Sequence, residues 1–355
     1  MSAVVVVGAG IVGSSVAYHL ACRGVPVTLL DQGPSPATGV TGDSFAWIGN
    51  AGRQWPGGAR DLRASVLADH RRLETELPEI AVRWTGSLTW TDALLQGGQN
   101  GQHAQPGPGQ YVVGPSDIAA LEPHLQDPPR LAIHTPSDGG VDPRALAAAL
   151  VNAARTHGAE VIYGAAVRSL KMAGSRAVGV LSSAGFHPAE TVVLAAGTNV
   201  TTLAEPLQLD LPVAASPACL AHLTAPPGLV RTITAGPGFE VREVRDGHLL
   251  LVFPHAEGDP AARLEQAARH ALRRLQTVFS GGDACRLVDY RIGRRPMPAH
   301  GPIVGYATQD RSVYVAVMHS AITLAPTVGR LVADELVSGK PTAELRRCRP
   351  RGVPQ

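Results

Sequence analysis

Ala3-Val4-Val5-Val6-Val7-Gly8-Ala9-Gly10-Ile11-Val12-Gly13 decides how the first layer of the chain folds. The β-branched run Ala3 to Val7 predicts a parallel strand buried on both faces. A glycine turn follows. Beyond it Val12, Val16 and Leu20 share one face of a helix that stops at Gly24. A second strand, Val27 to Leu30, ends in Asp31. In such a turn the first glycine bends the chain and the second lets a phosphate approach the backbone. The third lets the helix pack against the strand, and the helix N-terminus favours negative charge. Asp31 lies 23 positions after Gly8, where an acid can hold ribose hydroxyls. Strand, turn, helix and acid together predict a dinucleotide site; the plain alternative is a glycine turn that binds nothing.

Working outward, Gly33 to Gly58 is rich in Gly, Pro, Ser and Thr and reads as one long loop. Arg60 to Leu77 reads as a single helix, Trp84 to Trp90 as strand, and Gln96 to Gln110 as a Gly/Gln/Pro surface loop or lid. Asp142 is a good N-cap and Pro143 suits the first turn of a helix that reaches His157 and stops at Gly158. Strands follow at Glu160 to Tyr163, Ala177 to Leu181 and Thr191 to Leu194, then short strands over residues 211–255, including His248 to Phe253. Asp259 to Phe279 is an amphipathic helix, Arg291 to Gly305 reads as irregular, Val313 to Val317 as strand, and a last helix starts near Pro326 and ends before Gly339.

The predicted class is α/β with two parts: a Rossmann-type domain built from discontinuous segments, into which a mainly antiparallel-sheet domain is inserted. The expected division assigns 1–80, 138–210 and 296–345 to the first part and 81–137 and 211–295 to the second, with 346–355 as a C-terminal tail.

The composition fits a compact globule. Lys and Arg total 31 against 29 acids, interleaved, so no concentrated basic face for nucleic acid is expected. Only Lys171 and Lys340 among the basic residues are lysine. Cys22, Cys219, Cys285 and Cys348 show no CxxC or CxxH spacing, so neither a metal site nor a disulfide framework is expected. No stretch approaches the roughly 20 apolar residues of a membrane span, and the N-terminal apolar run is too short for a signal peptide. A cytoplasmic location is the expectation, with no membrane or nucleic-acid partner.

Five segments in order, Val4 to Gly13, Gly39 to Ser44, Asp138 to Ala149, Val192 to Gly197, and Gly293 to Gly305 with Tyr314 to Gly329, resemble the D-amino acid oxidase family of FAD-dependent oxidoreductases. That family includes glycine oxidase, sarcosine oxidase and dimethylglycine-dehydrogenase-like proteins. The resemblance implies FAD, and an enzyme that oxidises the C–N bond of a small amine or (N-substituted) α-amino acid. The acceptor would be oxygen or another electron acceptor; neither lysine sits in a segment matching the family's oxygen-activating position. No cysteine matches a flavin linkage, so the FAD is expected to be noncovalent. A noncatalytic FAD-binding subunit and a flavin monooxygenase remain as alternatives, and the oligomeric state is left open.

Carried over by position, Gly8, Gly10, Ile11, Val12, Gly13, Asp31 and Gln32 would hold the ADP half, and the backbone of Val167 the adenine. Thr41 and Ser44 would touch the pyrophosphate or the flavin, and Ala196 and Gly197 would lie where their strand meets the cofactor. Ser320, Ala321, Ile322 and Thr323 would pass the pyrimidine edge of the ring. The family often has glycine where Ala321 stands. Arg295-Pro296 matches the family's carboxylate-binding pair, with Arg294 or Arg291 as alternatives or no substrate role at all; a guanidinium fork suits a carboxylate. His319 and His255 are the further catalytic candidates, each weighed against a packing role, and Trp47 and Asn50 are candidate pocket walls.

Overall fold

The computed structural model describes residues 3–49, 56–91, 106–254 and 261–352. Among them a six-stranded sheet runs in the order Ile303–Tyr306, Val313–Val317, Thr191–Leu194, Val4–Val7, Val27–Leu30, Glu160–Ile162. All its pairings are parallel except that of Ile303–Tyr306 with Val313–Val317. Val4 to Val7 are all buried, as a central strand covered on both faces requires. Strands far apart in sequence thus meet in one parallel sheet, as the Rossmann expectation demands.

Helix Ile11–Ala21 is buried along its whole length. It crosses the last helix, Ala321–Ser338, so closely that a Cβ on Gly329 would lie 2.2 Å from Ser15 Oγ. Ser15 Oγ donates to Ala325 O at 2.8 Å across that crossing. Helix Pro143–Thr156 begins as expected: Asp142 Oδ1 accepts from the N–H groups of Arg144 and Ala145 at 2.9 and 3.1 Å.

An eight-stranded, largely antiparallel sheet has Arg286–Pro298 at one edge, followed by Val213–Thr224, His248–Phe253, Phe239–Arg245 and Ile233–Gly236. Ser87–Thr89, Ala132–Thr135 and Tyr111–Val113 complete it. One face packs on helix Ala261–Val278 through Leu264, Ala268 and Leu275 against Leu223, Leu251 and Phe253. A three-stranded sheet (Val167–Ala173, Arg176–Ser182, Gly185–Pro188) and a two-residue pairing of Trp47–Ile48 with Gly139–Gly140 complete the picture.

Three expectations are corrected. Arg291 to Gly305 is not irregular: Arg286–Pro298 is a thirteen-residue strand, and Pro296 and Pro298 are tolerated because it is an edge strand. It also runs across 295–296, where the sequence reading divided the two parts. Arg60 to Leu77 is two helices, Ala59–Arg63 and Val66–Glu76. The last helix starts at Ala321, so Pro326 lies inside it. Proline has no N–H for the carbonyl four residues back. That carbonyl, Ile322 O, is instead approached by His70, whose Nε2 lies 3.1 Å from the neighbouring Thr323 O. The predicted loop Gln96 to Gln110 lies outside the described residues as far as position 105. No helix of the described residues is long and apolar enough to cross a membrane.

Burial of two histidines makes stability depend on pH. His19 is 2% and His70 1% exposed. Desolvation, reinforced by Arg72 and Arg23, lowers His19 to about 3; desolvation lowers His70 to about 4 despite its bonds to the Thr323 and Ile322 carbonyls. Both folded values lie below the unfolded value of about 6.5. The unfolded chain therefore takes up protons that the fold refuses, so stability is full above pH about 6.5 and is lost as pH falls toward 4 and 3, on the order of 3 kcal/mol for His70 and about 5 kcal/mol for His19. Tm should fall steeply between pH 7 and 5. His70→Gln, which keeps a donor for Thr323 O, should flatten that slope; a slope unchanged by the substitution would refute the assignment.

Candidate functional site

The glycine turn is a steric necessity at two of its positions. Gly8 has φ +104°, and a Cβ there would stand 2.6 Å from Ala195 O. A Cβ on Gly13 would stand 1.9 Å from Gly8 O. Gly10 differs: a Cβ would meet only Thr41 Oγ1, at 3.2 Å. Its open side faces a cleft of about 550 Å³.

The cleft runs from Leu30, Asp31, Gln32 and Val167 at one end, past Gly8, Gly10 and Ile11, to Gly293, Met318 and Ala321 at the other. Asp31 is fixed by two backbone donors, Ala9 N–H to Oδ2 at 2.6 Å and Gly33 N–H to Oδ1 at 2.7 Å. Thr41 Oγ1 accepts from Ile11 N–H at 3.1 Å, which lays the Thr38–Asp43 loop against the helix start. No acid occupies the first turn of Ile11–Ala21, so the positive end of its dipole is left for an anionic ligand. A glycine cradle beside an uncompensated helix N-terminus, in a pocket of cofactor size, fits a dinucleotide.

Of the sequence-picked residues, Gly8, Gly10, Ile11, Val12, Asp31, Gln32, Thr41, Val167, Ala196, Gly197 and Ala321 line the cleft. Gly13 stands behind it, against Gly8 O. Ser44 Oγ accepts from Ala46 N–H at 3.1 Å. Ser320 takes a left-handed conformation (φ +58°) ahead of the last helix. Ile322 is buried, and Thr323 Oγ1 donates to Trp47 O at 2.8 Å, so the Thr323 hydroxyl joins the last helix to the Trp47–Ile48 strand. His255 and Asn50 lie outside the described residues.

Arg295 sits on the strand whose residues Ile292, Gly293, Arg294 and Pro296 line the cleft. Its Nη2 donates to Ser216 Oγ at 3.1 Å and Pro217 O at 3.0 Å. Its Nε is buried and has no partner among the described residues. Arg291 is committed elsewhere, to Asp289 at 2.9 Å and Asp43 at 3.5 Å. His319 follows strand Val313–Val317, and its Nδ1 accepts from Ser320 N–H. The residue is exposed, yet partial desolvation, with Arg295 and Arg63 nearby, pushes it below the ordinary imidazole range.

Sequence reading missed several groups. Arg168, Asn199 and Thr202 line the cleft. Arg144 donates to Ala37 O at 3.3 Å and pairs with Asp43 at 3.2 Å, pinning both ends of the Thr38–Asp43 loop. Arg63 donates to Gly49 O and faces Asp138, whose Oδ2 accepts from Trp47 Nε1 at 2.9 Å and Ser87 Oγ at 2.8 Å. Burial raises the Asp138 carboxyl. Arg144 and Arg63 carry no local signal, since each reads as an ordinary polar position of an amphipathic helix.

Comparison with known proteins agrees with this geometry. The chain is 27% identical to the uncharacterized oxidoreductase YurR of Bacillus subtilis (strain 168), over 96% of each chain. It is 26% identical to a glycine oxidase of Pseudomonas aeruginosa, over 95% of each. Among solved structures, glycine oxidase from Bacillus cereus ATCC 14579 superposes with a TM-score of 0.84 over all of both chains at 20% identity. Iminodiacetate oxidase from Chelativorans sp. BNC1 gives 0.81 over 98% of each at 24% identity. The family described as FAD dependent oxidoreductase matches residues 3–335, and the chain therefore belongs to that family and is an oxidoreductase that uses FAD.

Proposed function

We propose that this enzyme oxidises the C–N bond of a small amine or (N-substituted) α-amino acid to an imine, which hydrolyses to a carbonyl compound and an amine. The observation that carries the reading is Arg295: a half-buried guanidinium on the cleft-lining strand, with its Nε unsatisfied and neutral oxygens as its only hydrogen-bond partners among the described residues. A buried donor without a partner is costly, and a substrate carboxylate would supply the missing acceptor in a charge-assisted hydrogen bond.

Gly8, Gly10, Ile11, Val12, Gly13, Asp31, Gln32 and Val167 would hold the ADP half of FAD. Thr41, Ser44, Ala196, Gly197 and Ser320 to Thr323 would hold the rest, noncovalently. When bound, FAD supplies the hydride acceptor; oxygen or another electron acceptor then restores it. Arg295 would orient the substrate by its carboxylate. His319 is uncharged at neutral pH, and with Nδ1 occupied by Ser320 N–H it would present Nε2–H, so its part is to donate a hydrogen bond rather than to take a proton. His255 stays a candidate on sequence alone, and so do the cytoplasmic location and the division into two domains.

The deciding measurement is anaerobic mixing of the holoprotein with a panel of amino acids and amines. The expected result is bleaching of the flavin band by at least one α-amino acid. A flavin that dithionite reduces but no amine or amino acid does would favour the noncatalytic-subunit reading instead.

A further inference from the structure

The face of the eight-stranded sheet that carries Arg295 also carries a carboxylate with no ion-pair partner among the described residues. Arg291 pairs with Leu220, Leu220 with Val252, and Val252 with Glu240, so these four form one rung across the sheet. Side chains alternate along a strand, which puts Arg295 and Glu240 on the same face. That face is turned toward the cofactor side. Arg242, two residues after Glu240, sends its Nε to Phe45 O at 2.6 Å and its Nη2 to Val141 O at 2.7 Å. Gly293, two before Arg295, lies against Val40.

Glu240 is half-buried, and no described residue donates a hydrogen bond to its carboxylate. Burial raises its pKa, and among the described residues Arg295 counters the rise. Among the described residues the other nearby cations have acids or carbonyls of their own: Arg63 faces Asp138, Arg291 holds Asp289 and Asp43, and Arg242 reaches away to the two carbonyls. Arg295 is therefore the cation whose field reaches Glu240, across the sheet face and without a direct ion pair between them. When a substrate carboxylate takes Arg295, Glu240 is left without its counter-charge in a poorly solvated place, which is unfavourable. The reacting nitrogen cannot supply the missing cation, since it must be neutral to release a hydride from its neighbouring carbon.

We infer that Glu240 is a specificity-determining residue, which favours an amino acid bearing a second, cationic group beyond the carboxylate held by Arg295. This rests on the amino-acid reading above. A charge of that sign completes the balance on the sheet face, whereas an apolar side chain leaves Glu240 unpaired and an acidic one adds repulsion.

The test compares anaerobic flavin reduction by lysine, norleucine and glutamate, both enantiomers of each, in wild type and in Glu240→Gln, with FAD content checked first. Wild type should prefer lysine to norleucine by about tenfold or more in kcat/KM, as one well-placed charge pair gives, with glutamate last. In Glu240→Gln that ranking should collapse to within about threefold, because lysine loses its partner charge and norleucine no longer leaves a carboxylate unpaired. A lysine preference that survives Glu240→Gln, or a wild type that prefers norleucine or glutamate, overturns the inference and leaves the amino-acid reading standing. If none of these compounds nor any other amino acid reduces the flavin, the amino-acid reading itself falls, and this inference with it.

Discussion

Gly10→Val should purify as folded, colourless protein, whereas Gly13→Val should not fold. The two glycines share a motif and differ in what surrounds them. A Cβ on Gly13 would overlap a backbone carbonyl, Gly8 O at 1.9 Å, at the contact between the first strand and the first helix. Neither element can retreat, because the strand pairs on both sides and the helix is buried along its length. At Gly10 the nearest protein atom is the Thr41 hydroxyl, at 3.2 Å, which a side chain can yield. The remaining space is the cleft itself, where the cofactor's phosphates need close approach to the backbone. Valine there takes that space from the ligand and leaves the protein intact. Flavin absorbance and circular dichroism of the two variants decide the matter: a yellow Gly10→Val protein would mean that the phosphates lie elsewhere in the cleft, and a stable Gly13→Val protein would mean that strand and helix can separate.

What the sequence made legible was what local chemistry dictates. Val4 to Val7, the glycine turn and Asp31 form a unit whose every part is specified within its own few residues, and the structure puts them where that reading placed them. The errors share a different cause. Arg286–Pro298 carries two prolines and four arginines and gives no strand signal of its own; it is a strand because Val213–Thr224 supplies a partner over almost its whole length. Pro326 reads as a helix start, and it is accommodated inside a helix because His70, more than 250 positions away in sequence, reaches the carbonyls beside it. The candidate site divides in the same way. Its cofactor half follows from a motif, while Arg144 on the loop, the Arg63–Asp138 pair and the rung that aligns Glu240 with Arg291 arise from tertiary pairing alone.

Arg295→Ala should lower kcat/KM for an amino acid by about 30-fold or more while sparing the decarboxylated amine of the same skeleton. Deleting one partner of a hydrogen-bonded charge pair in a partly desolvated site typically costs about 2–5 kcal/mol, and each 1.4 kcal/mol is roughly tenfold. The guanidinium is held in place by Ser216 Oγ and Pro217 O, both on Nη2. Its Nε is buried and has no hydrogen-bond partner among the described residues, so the guanidinium is oriented before substrate arrives. Lysine at this position would keep the charge and lose the second donor, and Arg295→Lys should therefore recover only part of the activity. Arg294, its neighbour, projects to the opposite face of the strand and is exposed; Arg294→Ala should leave the ratio between amino acid and amine unchanged. FAD content should be the same in both Arg295 variants. The informative quantity is the ratio of the two substrates, because loss of the bonds to Ser216 and Pro217 weakens the sheet edge for both alike. If Arg295→Ala lowers amino acid and amine by the same factor, the arginine braces the strand or faces the flavin, and the carboxylate must be held by another group.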